Sequence, residues 1–218
     1  ALPATFSPDM WAHQYDQQAN QVLCRIAEDR VYTTNGPDAN IFGLEPNYGC
    51  CTANLSQGWP KLAAHLWMGT SEGGLAAVAY APSEATATLG GARVQLTCET
   101  EYPFGDTLHF TVQADRPVRF PFLLRIPGWA AEAQVQAAGS SAQAAAPGSF
   151  HRLEREWSGR TEVALRLPMP VRATRRYHNS VAIERGPLVY ALRIGEHWKQ
   201  VRGEPPHADW EVYPTTPW

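Results

Sequence analysis

The chain has 218 residues, enough for one full domain, and with 44% hydrophobic and 18% charged residues its composition excludes a disordered protein. Its 18 basic and 21 acidic residues give a net charge of −3, so it lacks the basic excess that nucleic-acid binding requires. No apolar run approaches the roughly 18 residues of a membrane-spanning helix. We therefore expect neither nucleic acid nor a membrane as a partner.

The first third of the chain, residues 1–69, carries most of the helix-like sequence pattern. Ser7 or Asp9 is suited to cap a first helix that continues to Leu23, because both side chains accept hydrogen bonds from helix N-terminal amides. Residues 43–51 contain proline and glycine and are predicted to form a structured loop. We therefore predict a helical segment, interrupted by this loop.

A second, shorter helix is predicted near the end of that segment. Leu62, His65 and Leu66 recur at helical intervals, and Gly69 is suited to end the helix. The apolar neighbours predict a buried helix, in which His65 is a core residue rather than a metal ligand. Three tryptophans in apolar surroundings are likewise expected to pack rather than to stack on sugars: Trp59, Trp67 and Trp129.

From Gly74 onward the hydrophobic period changes to two, the period of a strand with one buried face. The predicted strands are 75–80, 93–98, 108–112, 120–126, 163–167, 181–184 and 188–194. Short strands separated by turn residues are typical of a β-sandwich, in which Cys98 would point inward as a small hydrophobe. The predicted fold class is mainly β, with a jelly-roll-like β-sandwich at 70–197 that follows the helical segment.

Two stretches show no regular period. Residues 130–149 include a low-complexity run whose Ala/Gly/Ser ending is typical of a surface loop. Residues 198–218 are rich in proline and tryptophan. We predict that residues 198–218 form an irregular tail.

The four cysteines lie at positions 24, 50, 51 and 98, a spacing unlike that of a small secreted disulfide framework. Neighbouring cysteines can form a disulfide only in a strained ring, so we expect free thiols or metal ligands. This pattern favours a reducing compartment and hence a cytoplasmic location.

The adjacent pair Cys50 and Cys51 is the strongest candidate for chemistry. It follows a glycine-containing loop and precedes a helix predicted to begin near Thr52 or Asn54. A helix N-terminus lowers the pKa of a thiol, which makes the sulfur a better nucleophile and a ligand for soft metals. Tetrahedral zinc would need two further ligands, and the alternative is a pair of buried thiols without chemistry.

The sequence around this pair resembles a known enzyme family. Residues 47–61, Asn-Tyr-Gly-Cys-Cys-Thr-Ala-Asn-Leu-Ser-Gln-Gly-Trp-Pro-Lys, are similar to the Cys-Cys segment of glycoside hydrolase family 127, the β-L-arabinofuranosidases. Further stretches in the style of this family lie at 10–18, 124–129 and 183–192. The resemblance thus extends over roughly residues 8–194.

This resemblance implies a helical (α/α)6 barrel that carries the active site, followed by β-sandwich domains. The family's site holds a zinc ion bound by three cysteines and a glutamate. Carried over to the matching motif, Cys50 would be the catalytic nucleophile and a zinc ligand, and Cys51 a second zinc ligand. A separate glutamate would act as acid/base, so that hydrolysis retains the anomeric configuration through a covalent thioglycosyl intermediate.

Two parts of the family's pattern find no match in this chain. The family has a Glu-x-Cys motif and the acid/base glutamate well upstream of the cysteine pair, whereas here Cys24 follows Val-Leu. Glu28 and Glu45 lack the family's context, and we assign neither of them. We therefore expect the C-terminal part of such an enzyme, in which residues 1–69 are the end of the barrel. Its partners would be a carbohydrate substrate and the rest of the barrel, and the isolated chain would be inactive.

Functions of other classes are also open. The predominance of predicted strands fits a non-catalytic β-sandwich that binds carbohydrate or packs against another domain. A thiol redox protein is the least supported class, because adjacent cysteines lack the two-residue spacer of the usual dithiol motif.

Overall fold

The computed structural model describes residues 7–14, 23–28, 35–43, 54 and 56–217. In these residues the chain is mainly β, and none of the helices there is long and apolar enough to cross a membrane. The elements in chain order are α1 (Gly58–Ala64), β1 (Trp67–Gly69), β2 (Leu75–Ala77), β3 (Ser83–Leu89), β4 (Ala92–Thr100), β5 (Thr107–Ile126), β6 (Gln134–Ala137), β7 (Gln143–Ala144), β8 (Ser149–Arg166), β9 (Val171–Arg175), a 3₁₀ helix (Tyr177–Asn179), β10 (Val181–Arg185), β11 (Leu188–Tyr190), β12 (Glu196–Arg202) and β13 (Asp209–Pro214).

The chain divides into two compact units. The sandwich unit consists of Trp59–Arg172 and Glu184–Leu188, and the hairpin unit consists of Ala1–Gly58, Ala173–Ile183 and Val189–Trp218. Strands β9, β10 and β11 pair as a three-stranded sheet with β10 in the centre. The domain boundaries that the sequence suggests stay a prediction.

The sandwich unit is built from one eight-stranded sheet that folds into two layers. Its order is β1-β2-β5-β8-β6-β7, and β4 also pairs with β5 and with β3. The two longest strands, β5 and β8, are antiparallel neighbours, and their register shifts between Ala114 and Val118. Before this shift β5 pairs with β4, and after it β5 pairs with β2. Each long strand therefore contributes to both layers.

Side-chain alternation explains why the two layers share one apolar core. Apart from Pro121, the buried residues of β5 keep the same parity on both sides of the register shift: Leu108, Phe110, Val112, Ala114, Val118, Phe120, Phe122, Leu124 and Ile126. Because successive side chains of a strand point to opposite faces, the same face of β5 points inward before and after the shift. The predicted mainly β sandwich is thus confirmed.

Aromatic rings join the two halves of β5 across the core. Phe110 and Phe122 pack edge to face with their ring centroids 5.6 Å apart. Trp67 contacts both rings, at centroid distances of 6.0 Å and 6.1 Å. The indole Nε1 of the buried Trp157 donates a hydrogen bond to the backbone oxygen of Phe120 at 3.0 Å. The polar atom of this tryptophan is therefore satisfied inside an apolar core.

The predicted short helix exists but is not buried. Helix α1 contains no buried residue, Trp59 is 64% exposed, and His65 is exposed as well. The Nδ1 atom of His65 lies 2.6 Å from the carbonyl oxygen of Lys61, so its polar partner is local. The core roles predicted for Trp59 and His65 are therefore wrong, because helical spacing identifies a shared face but not what covers it. Trp67 and Trp129 do pack against the sandwich core, as predicted.

Two further differences concern the strands. The predicted strands 108–112 and 120–126 are parts of the single strand β5, which continues through the register shift. The 130–149 stretch is not only a surface loop, because it forms β6 and β7. It also contributes buried side chains to the core, namely Ala130, Ala133, Val135, Ala137 and Ala145. Cys98 is 3% exposed, so its predicted inward position is confirmed.

The hairpin unit takes its name from strands β12 and β13. They pair antiparallel, with Trp198 opposite Val212 and a register irregularity between Gln200 and Arg202. The 198–218 stretch is therefore not an irregular tail. Its strands escaped sequence analysis because most of the side chains of β12 are exposed, which leaves no clear apolar alternation.

The described residues near the N-terminus form turns and isolated bridges. The hydroxyl of Ser7 donates to Asp9 at 2.5 Å and accepts from the amide of Ala12 at 3.0 Å. These two side chains therefore stabilise a turn within 7–14, and the helix predicted to start there is absent from those residues. The remainder of that predicted helix lies mostly outside the described residues.

Candidate functional site

The residues to which the sequence assigns the chemistry, Cys50 and Cys51, lie outside the described residues, as does Glu45. Glu28 is described and is exposed. The geometry on which a site can be built is therefore that of the segment before the cysteine pair and that of the sandwich unit.

The two described thiols are buried in different units and are unsuited to catalysis. Cys24 is 5% exposed in the hairpin unit, and burial raises the pKa of its thiol to about 11, although a hydrogen bond with Gln14 opposes this. Cys98 is 3% exposed in the sandwich core, and burial raises the pKa of its thiol to about 12. Raised pKa values favour the protonated form of both thiols at neutral pH, and a protonated thiol is a poor nucleophile.

Metal-binding geometry is also absent from the part of the chain that the structure describes. No group of three or more His, Cys, Asp or Glu side chains there could hold a metal ion. The described side chains alone therefore do not form a metal site, and the four-ligand zinc site that the family resemblance implies stays a prediction.

Strand β13 and an N-terminal segment hold the backbone that leads toward the cysteine pair. Phe42 and Trp210 exchange two backbone hydrogen bonds of 2.9 Å and 2.7 Å. Gly43 and His13 exchange two more, of 3.0 Å and 2.8 Å. Gly43 precedes Cys50 by seven residues. The chain is thus fixed on two sides at the last described position before the Cys-Cys motif.

Arg202 of β12 reinforces this arrangement through two carboxylates. Its Nη2 donates to Asp38 at 2.7 Å, and its Nε donates to Asp209. The Asp209 carboxylate lies against Gly43, where an added Cβ would come within 2.2 Å of Oδ1. Only glycine fits there without moving that carboxylate. Residues 38, 43, 202 and 209 therefore form one interdependent cluster.

Glu211, a buried residue of β13, is the centre of a second polar cluster in the hairpin unit. It accepts hydrogen bonds from the amide of Ile26 at 3.1 Å, from Lys199 at 3.1 Å and from the hydroxyl of Tyr213 at 2.7 Å. Burial alone would raise the pKa of Glu211, but these donors together hold it below its usual value. The carboxylate is therefore charged and fully partnered near neutral pH.

The sandwich unit has a groove of about 400 Å³ on its outer face. Outward-pointing residues of four neighbouring strands line it: Glu99 of β4, His109 and Thr111 of β5, Arg160, Glu162 and Ala164 of β8, and Gln136 of β6. We call this the outer-face groove. Ala138 and Gly139, which follow β6, also line it.

Strand register places the polar side chains of this groove in a row. Glu99 lies opposite His109, His109 lies opposite Ala164, and Ala164 lies opposite Gln136. In the adjacent row Thr111 lies opposite Glu162. The small side chain of Ala164 between two larger polar neighbours explains why the face is concave here.

Neither the outer-face groove nor the pair of Arg202 and Asp38 is visible in the sequence. The polar residues of the outer-face groove alternate with apolar residues along their strands, and this alternation is visible in the sequence. The order of the four strands, which brings these polar residues together, is not. Arg202 and Asp38 are 164 residues apart, and no local pattern relates them. Only sheet order and tertiary pairing bring these residues together.

Comparison with known families confirms the resemblance to glycoside hydrolase family 127. Residues 74–169 match the family model described as the middle domain of GH127 β-L-arabinofuranosidases. The matched region lies within the sandwich unit and covers β2 to β8 completely. No curated protein sequence matches the chain.

Solved structures show the same fold. A GH127 β-L-arabinofuranosidase from Geobacillus stearothermophilus T6 aligns with a TM-score of 0.59 at 22% identity, over 76% of this chain and 34% of that one. A protein described as a glycoside hydrolase aligns with a TM-score of 0.68 at 18% identity, over 97% of this chain and 43% of that one. A GH127 β-arabinofuranosidase aligns with a TM-score of 0.63 at 16% identity, over 98% of this chain and 41% of that one. The chain thus spans less than half the length of these proteins.

Proposed function

We propose that this chain is part of a retaining glycoside hydrolase that acts on β-L-arabinofuranosides or related sugars. The nucleophile is the thiolate of Cys50, which is also a zinc ligand together with Cys51. The acid/base is a carboxylic acid that we do not assign to a residue of this chain.

The observation that carries this proposal is the coincidence of two independent signals in one chain. Residues 74–169 match the middle domain of GH127 β-L-arabinofuranosidases. Residues 47–61, before that match, resemble the Cys-Cys segment of the same family. The two signals come from different regions and indicate the same enzyme class, which a chance resemblance of a short motif would not explain.

The donor chemistry fits zinc only in part. Thiolates are preferred zinc ligands, and the adjacent pair supplies two of the four that a tetrahedral site needs. The two described thiols, Cys24 and Cys98, are buried in different units, and burial raises the pKa of both. We assign the two remaining ligands to no residue of this chain. When bound, zinc would keep the two sulfurs deprotonated at neutral pH.

The proposed reaction has two balanced steps. In the first, the Cys50 sulfur forms a bond to the anomeric carbon while the glycosidic C–O bond breaks and the departing oxygen takes a proton from the carboxylic acid. In the second, water attacks the same carbon, gives a proton to the carboxylate and releases the thiolate. Two inversions leave the anomeric configuration unchanged.

The described part of the chain contributes by holding the backbone before the motif. Backbone hydrogen bonds from Trp210 and His13 fix Phe42 and Gly43, and Arg202 links two carboxylates beside them. A nucleophile has to be placed within a few tenths of an ångström of its productive position.

The decisive experiment replaces Cys50 by serine in the complete polypeptide. We expect hydrolysis of an aryl β-L-arabinofuranoside to fall at least about a thousandfold, because the hydroxyl is a weak nucleophile without thiolate character. Mass spectrometry of the unmodified enzyme with a slow substrate should find the sugar on the peptide that contains Cys50. The matched control is Cys98→Ala, which removes a buried thiol from the sandwich core and should leave the rate per folded molecule unchanged.

Full activity of the Cys50→Ser variant would refute the nucleophile assignment. The isolated 218-residue chain is expected to bind zinc weakly and to show no glycosidase activity. Rapid hydrolysis by that chain would show that one of its own carboxylates serves as the acid/base.

A further inference from the structure

We propose that the outer-face groove of the sandwich unit is a binding site for a neutral oligosaccharide. This site lies wholly within described residues, and it needs neither the cysteine pair nor turnover. It therefore goes beyond the proposed hydrolase activity and can be tested on the 218-residue chain.

The shape of the groove suits a small polar ligand. Its volume of about 400 Å³ lies within the range of small-molecule sites, which is roughly 300–1,000 Å³. The row from Glu99 through His109 and Ala164 to Gln136 crosses three inter-strand gaps. At about 4.8 Å per gap this row is roughly 14 Å long, enough for more than one sugar ring.

The groove combines an apolar floor with polar walls. Ala164, Ala138 and Gly139 offer small aliphatic surface against which the C–H face of a sugar can pack. Thr111 and Gln136 each supply both a donor and an acceptor. A ligand with hydroxyl groups along its edge and C–H groups on its face matches this pattern.

Two contacts hold the polar walls in position. The amide nitrogen of Gln136 donates to the backbone oxygen of Ser140 at 3.3 Å, which orients the amide plane. The guanidinium of Arg160 donates to Glu162 at 3.3 Å, so this arginine is already engaged by a carboxylate of the groove. The groove is thus partly organised before a ligand arrives.

The charge of the groove selects against acidic ligands. Glu99 and Glu162 provide two negative charges, and the single arginine is paired with one of them. Carboxylates accept charge-assisted hydrogen bonds from hydroxyl groups, which are about twice as strong as neutral ones. No set of three ligating side chains in the described residues could hold a metal. Neutral hydroxyl donors are therefore the ligand chemistry that remains.

The test is an NMR titration of the isotopically labelled 218-residue chain with a neutral oligosaccharide of arabinofuranose units. We expect the largest amide shifts on β5, β6 and β8 around Thr111, Gln136 and Glu162. The Gln136→Ala variant should weaken binding roughly fivefold or more, the effect of one hydrogen bond. The Ala164→Trp variant should abolish binding, because the indole would fill the floor of the groove.

Each variant has a matched control on the same outer face. Gln113→Ala removes an identical side chain from β5 outside the groove, and Thr88→Trp adds an indole to β3. Both controls should bind as the parent chain does. If Ala164→Trp does not fold, Glu99→Gln keeps the shape and should still weaken binding.

Three results would overturn the proposal. The first is the absence of saturable shifts at the groove with the neutral oligosaccharide. The second is equal weakening by Gln136→Ala and Gln113→Ala. The third is tighter binding of an oligogalacturonate, an acidic probe that the carboxylates should repel. None of these outcomes depends on Cys50, so the hydrolase proposal can fail or succeed separately.

Discussion

The sandwich unit and the hairpin unit are stabilised in different ways. In the described residues, the apolar core of the sandwich unit has 25 buried members, whereas that of the hairpin unit has four. The described part of the hairpin unit also holds buried or half-buried charges, which join Arg202 to Asp38 and Asp209, and Glu211 to three donors. In the described residues, packing therefore contributes most to the sandwich unit, and polar pairs between distant residues contribute more to the hairpin unit.

The difference has a consequence for function. Burial of apolar surface responds little to pH, whereas a partnered carboxylate contributes to stability only while it is charged. The hairpin unit holds the backbone that leads to the cysteine pair, so conditions that protonate its carboxylates should loosen that backbone first. Four predictions test this contrast, and the first has the largest expected effect.

Phe122→Ala should remove more stability than any change in the hairpin unit. Phe122 is fully buried, and its ring contacts Phe110, Trp67 and Trp157. Loss of such a side chain leaves a cavity and costs about 3–5 kcal/mol in the free energy of unfolding, which urea unfolding would measure. The control Phe104→Ala removes a ring that is 73% exposed and should have little effect. A cost below about 1 kcal/mol at Phe122 would mean that the core is not tightly packed.

Arg202→Ala should open the hairpin unit and leave the sandwich unit intact. The change leaves the buried carboxylate of Asp38 without its guanidinium partner. We expect a loss of about 1–2 kcal/mol, at the low end for charged hydrogen bonds because the guanidinium is half exposed. Amide exchange at Phe42 and Val212 should accelerate, with no change in β5.

Two variants make this second prediction specific. Arg202→Lys should be intermediate, because an ammonium group cannot reproduce the fork that reaches both carboxylates. Arg193→Ala removes an exposed arginine of the same unit and should change nothing. Faster amide exchange in β5 of the Arg202→Ala variant would contradict the expectation that the effect is confined to the hairpin unit.

Acidification should loosen the hairpin unit through Glu211. The pKa of this carboxyl is held below its usual 4.5, so its contribution to stability is present above about pH 4.5 and is lost as the pH falls through the lowered pKa. The protection factors of the Ile26 and Val212 amides, which are exchange rates corrected for the intrinsic pH dependence, should therefore fall in acid. Glu211→Gln should remove that part of the pH dependence. An unchanged pH profile in this variant would show that other carboxylates dominate.

Arg152→Ala should have the smallest effect. This side chain contacts Glu72 at 2.6 Å and Glu154 at 2.8 Å, but all three are solvent exposed. Exposed ion pairs are weakened by water and salt, so the urea midpoint should not change measurably. A clear loss that disappears at high salt would show that surface charge contributes more to the sandwich unit than its core suggests.

Much of the sandwich could be predicted from the sequence because its information is local. Alternation along β4 predicted that Cys98 points inward, and the strands predicted at 108–112 and 120–126 both lie within β5. Burial of His65 and Trp59 could not be predicted, because their helical spacing does not reveal whether another element covers them. The candidate nucleophile came from a motif, and its role stays a proposal.

The sequence by itself determined the mainly β class, the inward position of Cys98 and the resemblance to an enzyme family, since period and motif are properties of neighbouring residues. Only the tertiary structure decided that β5 and β8 serve both layers, that four strands build the outer-face groove, and that Arg202 meets Asp38. The physical reason is separation along the chain. Pairings between distant residues depend on the free energy of the whole fold, and no local pattern records them.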